Sequence, residues 1–196
     1  GQQLSCLYEN RRAAGVTSAC RVRVEAAVER RERDFRLDYR LRNSCYLDID
    51  RLCQPEMRSV ADADAAAGAA GDGDAEGAVI SCLRRVQRDI RSPLCLAEVK
   101  RVSGVFSSDA LADATLHRAC IENVQQFCRN VPVADGAVHE CLRARIAEDA
   151  AEDAAGRKRG VHNRVSDECI AAERDAVAAE SRDVLLNPEL RDACAP

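Results

Sequence analysis

Apolar positions recur at helical intervals along this chain. In the stretch DFRLDYRLRNSCYLDIDRLC, residues 34–53, Leu41, Cys45, Ile49, Leu52 and Cys53 fall at i, i+4, i+8, i+11 and i+12. That is one stripe of a helix over about 39–53. Asp38 stands just ahead of it, where a carboxylate accepts from the free N–H groups of the first turn. The preceding segment, 18–33, is rich in Ala, Val, Glu and Arg, which mostly favour helix. A third segment, about 77–90, begins at GAV and carries Cys82, and it reads as a further helix. No stretch reads convincingly as a strand.

The pattern then returns. Twenty-four residues separate Cys20 from Cys45, Cys95 from Cys120 and Cys169 from Cys194. Seven separate Cys45 from Cys53 and Cys120 from Cys128. GAVISCL ends at Leu83 and GAVHECL at Leu142. A shift of 75 also brings Asp34 onto Asp109, Asp38 onto Asp113, Leu41 onto Leu116 and Ile49 onto Val124. Asn187 holds the Asp38 place in a third copy. The chain therefore reads as tandem units: 1–19 ends one repeat, 20–94 and 95–168 are whole repeats, and 169–196 begins another. The predicted fold is all-α, with about three short helices per disulfide-stapled unit and an elongated array of units. Asp38, Asp113 and Asn187 are the predicted helix caps.

Two segments interrupt the repeat. One, near 54–76, is an acidic Ala/Gly insertion that reads as a mobile surface loop. The other is a charged linker near 147–164, whose acids at 147–153 read as a solvated helix face or loop.

Within one helix, Cys45 and Cys53 cannot bond each other. Eight residues separate their α-carbons by about 12 Å, and a disulfide needs them within about 7 Å. If the first two helices form an antiparallel hairpin bending near residue 36, Cys20 comes level with Cys53. Cys45, turned to another side of the same helix, then faces the third helix. The geometric preference is Cys20–Cys53 with Cys45–Cys82, and Cys95–Cys128 with Cys120–Cys141. Four cysteines still allow three connectivities. Cys6, Cys169 and Cys194 are left to find partners outside the chain.

Composition sets the setting. Eleven cysteines stand beside no Trp, three Phe and three Tyr, so the core is thin and covalent staples are expected. No CxxC pair supports zinc. Disulfides imply an oxidising compartment. The net charge of −4 argues against general nucleic-acid binding, and no apolar run is long enough to cross a membrane.

The repeat resembles the cysteine-rich repeat of the Golgi apparatus protein one family, also described as cysteine-rich fibroblast growth factor receptor and E-selectin ligand. DFRLDYRLRNSCYLDIDRLC, SSDALADATLHRACIENVQQFC, SRDVLLNPELRDAC and the two GAVxxCL segments carry the likeness. The resemblance implies a luminal or extracellular array of such repeats, in the Golgi or secretory pathway or at the cell surface. It implies binding of secreted proteins, with a membrane tether outside this stretch and no catalytic residues.

The residues themselves suggest no enzyme, cofactor or metal. GxSxG, HExxH, P-loop and dinucleotide fingerprints are absent. His117, His139 and His162 lack free thiolates beside them, since those cysteines are better explained as paired. RKR at 157–159 is basic enough for processing or for sulfated glycans, against the plainer reading of a solvated loop. Asn43-Ser44-Cys45 has the rare N-x-C glycosylation form. Two functions remain. One is a non-enzymatic array that binds a secreted protein or a glycan, favoured by the surplus of Arg. The other is a structural spacer or scaffold subunit of an extracellular or membrane-bound assembly, favoured by the absence of Trp.

Overall fold

The computed structural model describes residues 2–11, 13–66, 77–133, 135–157, 160, 163–183 and 186–187. Among them the regular elements are helical throughout: α1 Gln2–Glu9, α2 Ser18–Arg33, α3 Tyr39–Leu52, α4 Gln54–Ala66, α5 Ala78–Arg85, α6 Pro93–Ser108, α7 Ala114–Phe127, α8 Ala137–Ala154 and α9 Asp167–Glu180. Single 3-10 turns lie at Gln87–Asp89 and Ala110–Ala112.

The helix starts follow from side-chain chemistry. Asp38 accepts from the backbone N–H groups of Arg40 and Leu41, and Asp113 from those of Thr115 and Leu116. These bonds satisfy donors that the first turn cannot satisfy itself. Asn187 is described, but any helix after it lies outside the described residues. Helices α5 and α8 start differently. Gly77 and Gly136 sit at φ 76° and 78°, a left-handed conformation that only glycine adopts without strain. Each then donates its N–H back to the end of an earlier helix, Gly77 to Arg33 at 2.8 Å and Gly136 to Ser108 at 3.0 Å.

The first interrupting segment corrects the loop expectation. Its start, through Ala66, is helix α4. Pro55 sits in its first turn, where a missing N–H costs little, and the Ala-rich sequence then favours continuation. Residues 67–76 lie outside the described set. The run AEDAAEDA extends α8 to Ala154, and Gly156 at φ 73° follows its end. Its acids are not simply solvated. Asp149 is buried and accepts from the Val165 N–H at 3.0 Å. Asp153 pairs with Arg164.

The chain divides into two compact units, 1–102 and 103–196. That division falls inside α6 rather than between the sequence repeats. In unit 1, α1 packs against α2, while α4 and α5 cover α3. Leu41, Cys45, Ile49, Cys53, Val79, Ile80, Cys82, Leu83, Cys95 and Val99 are buried there. In unit 2, α7 packs against α8 and, more extensively, α9. Its core joins Leu116, Cys120, Val124, Cys128, Val138, Leu142, Val165, Cys169 and Ala176.

Candidate functional site: the joints between repeats

The four bridges are Cys45–Cys95, Cys53–Cys82, Cys120–Cys169 and Cys128–Cys141. They replace the expected Cys20–Cys53, Cys45–Cys82, Cys95–Cys128 and Cys120–Cys141. The reason is packing. The hairpin argument laid α2 along α3, but α2 packs on α1, and α5 returns to the end of α3. Cys53 caps that end and meets Cys82, with a Cα separation of 5.9 Å. Cys45 meets the start of the next repeat's first helix instead, at 4.6 Å. Cys120 does the same, so Cys169 has its partner within the chain. Cys6 and Cys20 are exposed and unbonded, and Cys194 lies outside the described residues. The second helix of each repeat thus grips two others: the third helix of its own repeat and the first of the next.

A polar latch accompanies each forward bridge. Asp48, three residues after Cys45, accepts from the N–H groups of Arg91 and Ser92, both at 3.1 Å. Ser92 in turn accepts from the Cys95 N–H at 3.2 Å, capping α6. In unit 2, Asn123 stands three residues after Cys120 and accepts from the N–H and hydroxyl of Ser166, at 3.3 and 3.0 Å. Ser166 caps α9 by accepting from the Cys169 N–H at 3.3 Å. Thr17 caps α2 through the Cys20 N–H at 3.2 Å. A Ser or Thr three residues before Cys20, Cys95 and Cys169 was a readable cap signal that the sequence analysis missed. Burial opposes the charged form of Asp48, but the Arg51 side chain and the two backbone N–H groups outweigh it and lower its pKa.

Each unit also holds a buried ionic cluster, built differently in the two. In unit 1, Asp38 does more than cap α3. Its second oxygen meets Arg101 of α6, with Arg31 of α2 at 3.7 Å. Glu98 of α6 pairs with Arg40 at 2.5 Å and Arg101 at 2.7 Å. In unit 2 the cluster centres on His139, 3% exposed, and Glu173, 2% exposed. The His139 Nδ1 lies 2.8 Å from Glu173 Oε1, and Nε2 lies 3.1 Å from the Phe106 carbonyl. Arg143 pairs with Glu173 and, through both terminal nitrogens, with Glu180. Both neighbours of the imidazole are acceptors, and a neutral ring has only one N–H. The protonated ring satisfies both. Burial opposes that charge, but the hydrogen bond and charge of Glu173 outweigh it and raise the His139 pKa.

The remaining residues divide plainly. Cys53, Glu56 and Cys82 lie close enough together to suggest a metal. Both sulfurs are consumed in one disulfide, and Glu56 pairs with Arg85 at 2.7 Å. His117 sits on α7, and His162 lies outside the described residues with most of RKR 157–159. Asn43 is exposed on α3, but Cys45 is bridged, so the N-x-C site has lost its free thiol. Much of the surplus Arg is spent on internal ion pairs. An exception is an open apolar hollow of about 610 Å³ in unit 1, where Phe35, Tyr46, Ile49 and Met57 lie beside Arg42 and Arg58. Among the described residues no helix is long and apolar enough to cross a membrane.

Residues 18–91 and 93–150 match the model of the cysteine rich repeat named Cys_rich_FGFR. The chain belongs to this cysteine-rich repeat family. Golgi apparatus protein 1 of Gallus gallus is 26% identical over 98% of the chain. The proteins of the same name from Homo sapiens and Rattus norvegicus are each 24% identical over 98%. The chain spans only 15% of the length of these relatives. No solved structure matches it. Four disulfides and these Golgi relatives fit a Golgi-lumen or secretory-pathway location for this member of the cysteine-rich repeat family.

Proposed function

We propose that the chain is a non-enzymatic binding segment of the secretory pathway that engages a secreted protein through the hollow of unit 1. The supporting observation is the composition of that hollow. Tyr46 is 61% exposed at its rim, and Phe35, Ile49 and the chain's single Met, Met57, form an apolar lining. Arg42 hydrogen-bonds the Arg36 carbonyl and Arg58 the Gln54 side chain, so both guanidinium charges stay available to a carboxylate. Tyr and Arg are the residue types that dominate protein interfaces, and Met adapts to different partners. This setting suits a protein segment with an apolar side chain flanked by acids better than it suits a glycan.

The test is capture from secreted material on immobilised chain, repeated with Tyr46→Ala and Met57→Asp variants of unchanged helicity. The proposal expects specific proteins retained by the wild type and lost with the variants. Identical retention would overturn it. The second reading is a scaffold, supported by the way each second helix is bonded to two others. Finding the chain built stoichiometrically into an assembly, with no exchangeable ligand, would favour that reading.

A further inference from the structure

Three positions are treated differently in the three copies of the repeat. Leu7 follows Cys6 as Leu83 follows Cys82 and Leu142 follows Cys141. Leu83 and Leu142 are 0% exposed, whereas Leu7 is 51% exposed. Cys95 and Cys169 are also 0% exposed and bridged, whereas their equivalent Cys20 is exposed and unbonded. Cys82 and Cys141 are bridged, and their equivalent Cys6 is unbonded. In the later copies a second helix covers these positions: α3 carries the partners of Cys82 and Cys95, and α7 those of Cys141 and Cys169. Thr17 stands where Ser92 and Ser166 stand, yet only those two N–H groups are held by a carboxylate or amide from that helix.

We infer that the face formed by Cys6, Leu7, Thr17 and Cys20 is a docking surface for the second helix of another cysteine-rich repeat, preceding these residues in a longer chain. The occupant has the form shared by Cys45–Cys53 and Cys120–Cys128: a cysteine, then Asp or Asn three residues on, then a second cysteine ending the helix. Its first cysteine bonds Cys20, its second bonds Cys6, and its Asp or Asn accepts from the Thr17 N–H. Each bridge forms by exchange with a disulfide oxidoreductase. One thiolate attacks the enzyme disulfide, and the other displaces the enzyme from the mixed disulfide. Two protons and two electrons leave with the oxidant as its dithiol. The bridged helix then removes Leu7 from water.

The decisive experiment extends the full chain before residue 1 with residues 34–53 joined through residues 129–135. This spacing reproduces the 12 residues between Cys128 and Cys141. Disulfide mapping after oxidative refolding is expected to link the added first cysteine to Cys20 and the added second to Cys6, with loss of both free thiols. A Cys6–Cys20 bridge, the opposite pairing, or two persistent thiols beside an intact Cys45–Cys95 bridge would overturn the inference. If the extended chain loses its Cys45–Cys95 bridge, the ruling comes from the unextended chain incubated with a peptide of residues 34–53 in glutathione buffer. Capture through the same two pairs supports the inference. Absence of capture, or capture no better than that of a scrambled peptide, refutes it.

Discussion

The forward joints of the two units use the same disulfide and differ at two buried positions near it. Ile80 and Val99, each 2% exposed in unit 1, occupy the repeat positions of His139 and Glu173 in unit 2. The latch differs in the other direction, with a titratable Asp48 in unit 1 and an uncharged Asn123 in unit 2. Bridge and helix register are therefore the invariant part of the joint. At these two positions the residues change from apolar to ionic, provided that each buried charge has a partner.

The largest expected effect breaks the ionic joint. Glu173→Ala leaves His139 and Arg143 without their shared carboxylate and should cost about 3–5 kcal/mol, read by urea unfolding and by hydrogen exchange in α9. Carrying the unit 1 pair across, His139→Ile with Glu173→Val, should recover most of that loss, because Arg143 keeps Glu180. A double variant as unstable as the single one would show that the two joints are not interchangeable.

Next come the bridges. Removing Cys45–Cys95 or Cys120–Cys169 as a Cys→Ala pair should cost about 2–5 kcal/mol. These close separations of 50 and 49 residues, whereas Cys128–Cys141 closes 13. The chain-entropy difference makes the short bridge worth about 1 kcal/mol less. Equal losses in the denaturation midpoints would point to strain or unfolded-state structure instead.

The pH responses should run in opposite directions. His139 has a folded pKa above the ordinary imidazole value of 6.5. Its contribution is complete below 6.5 and is lost as pH rises through the raised folded value. Asp48 has a folded pKa below the ordinary carboxylate value of 3.8. Its contribution is present above 3.8 and is lost as pH falls through the lowered value. Protection factors in α9 should thus fall on the alkaline side in wild type and stay flat in the His139→Ile, Glu173→Val variant. Asp48→Asn should flatten the acid response at the start of α6. Unchanged profiles would remove the distinction between the joints.

The smallest contrast is between caps. Ser166→Ala loses both the cap and the hydroxyl's bond to Asn123 while keeping the backbone one, and should cost about 1–2 kcal/mol. Thr17→Ala loses an exposed cap alone and should cost about 0.5 kcal/mol. Equal melting shifts would show that the Asn123 contact adds nothing.

Periodicity reached far in this chain, because a buried stripe such as Leu41, Cys45 and Ile49 repeats at the helical interval whatever lies opposite. That same property hid the wiring. The stripe tells which side of α3 is covered, and says nothing of whether α2, α5 or α6 covers it. The hairpin geometry chose the neighbour in sequence, while packing chose the helix one repeat ahead. Helix α4 escaped notice because its Ala and acids read as a loop. The ionic joint was illegible for another reason: His139 and Glu173 lie 34 residues apart, and only the docking of α9 against α8 brings them together.

The forward bridges also decide what a protease can do to this molecule. A single backbone cut anywhere between Cys45 and Cys95, or between Cys120 and Cys169, adds one water and leaves both pieces tied together until a reductant arrives. RKR 157–159 falls inside the second of these loops, so cleavage there nicks the chain without shedding either half. The stretch from Cys95 to Cys120 is enclosed by none of the four bridges. One cut within it, in α6 or the turn that follows, leaves two pieces that none of these bridges joins.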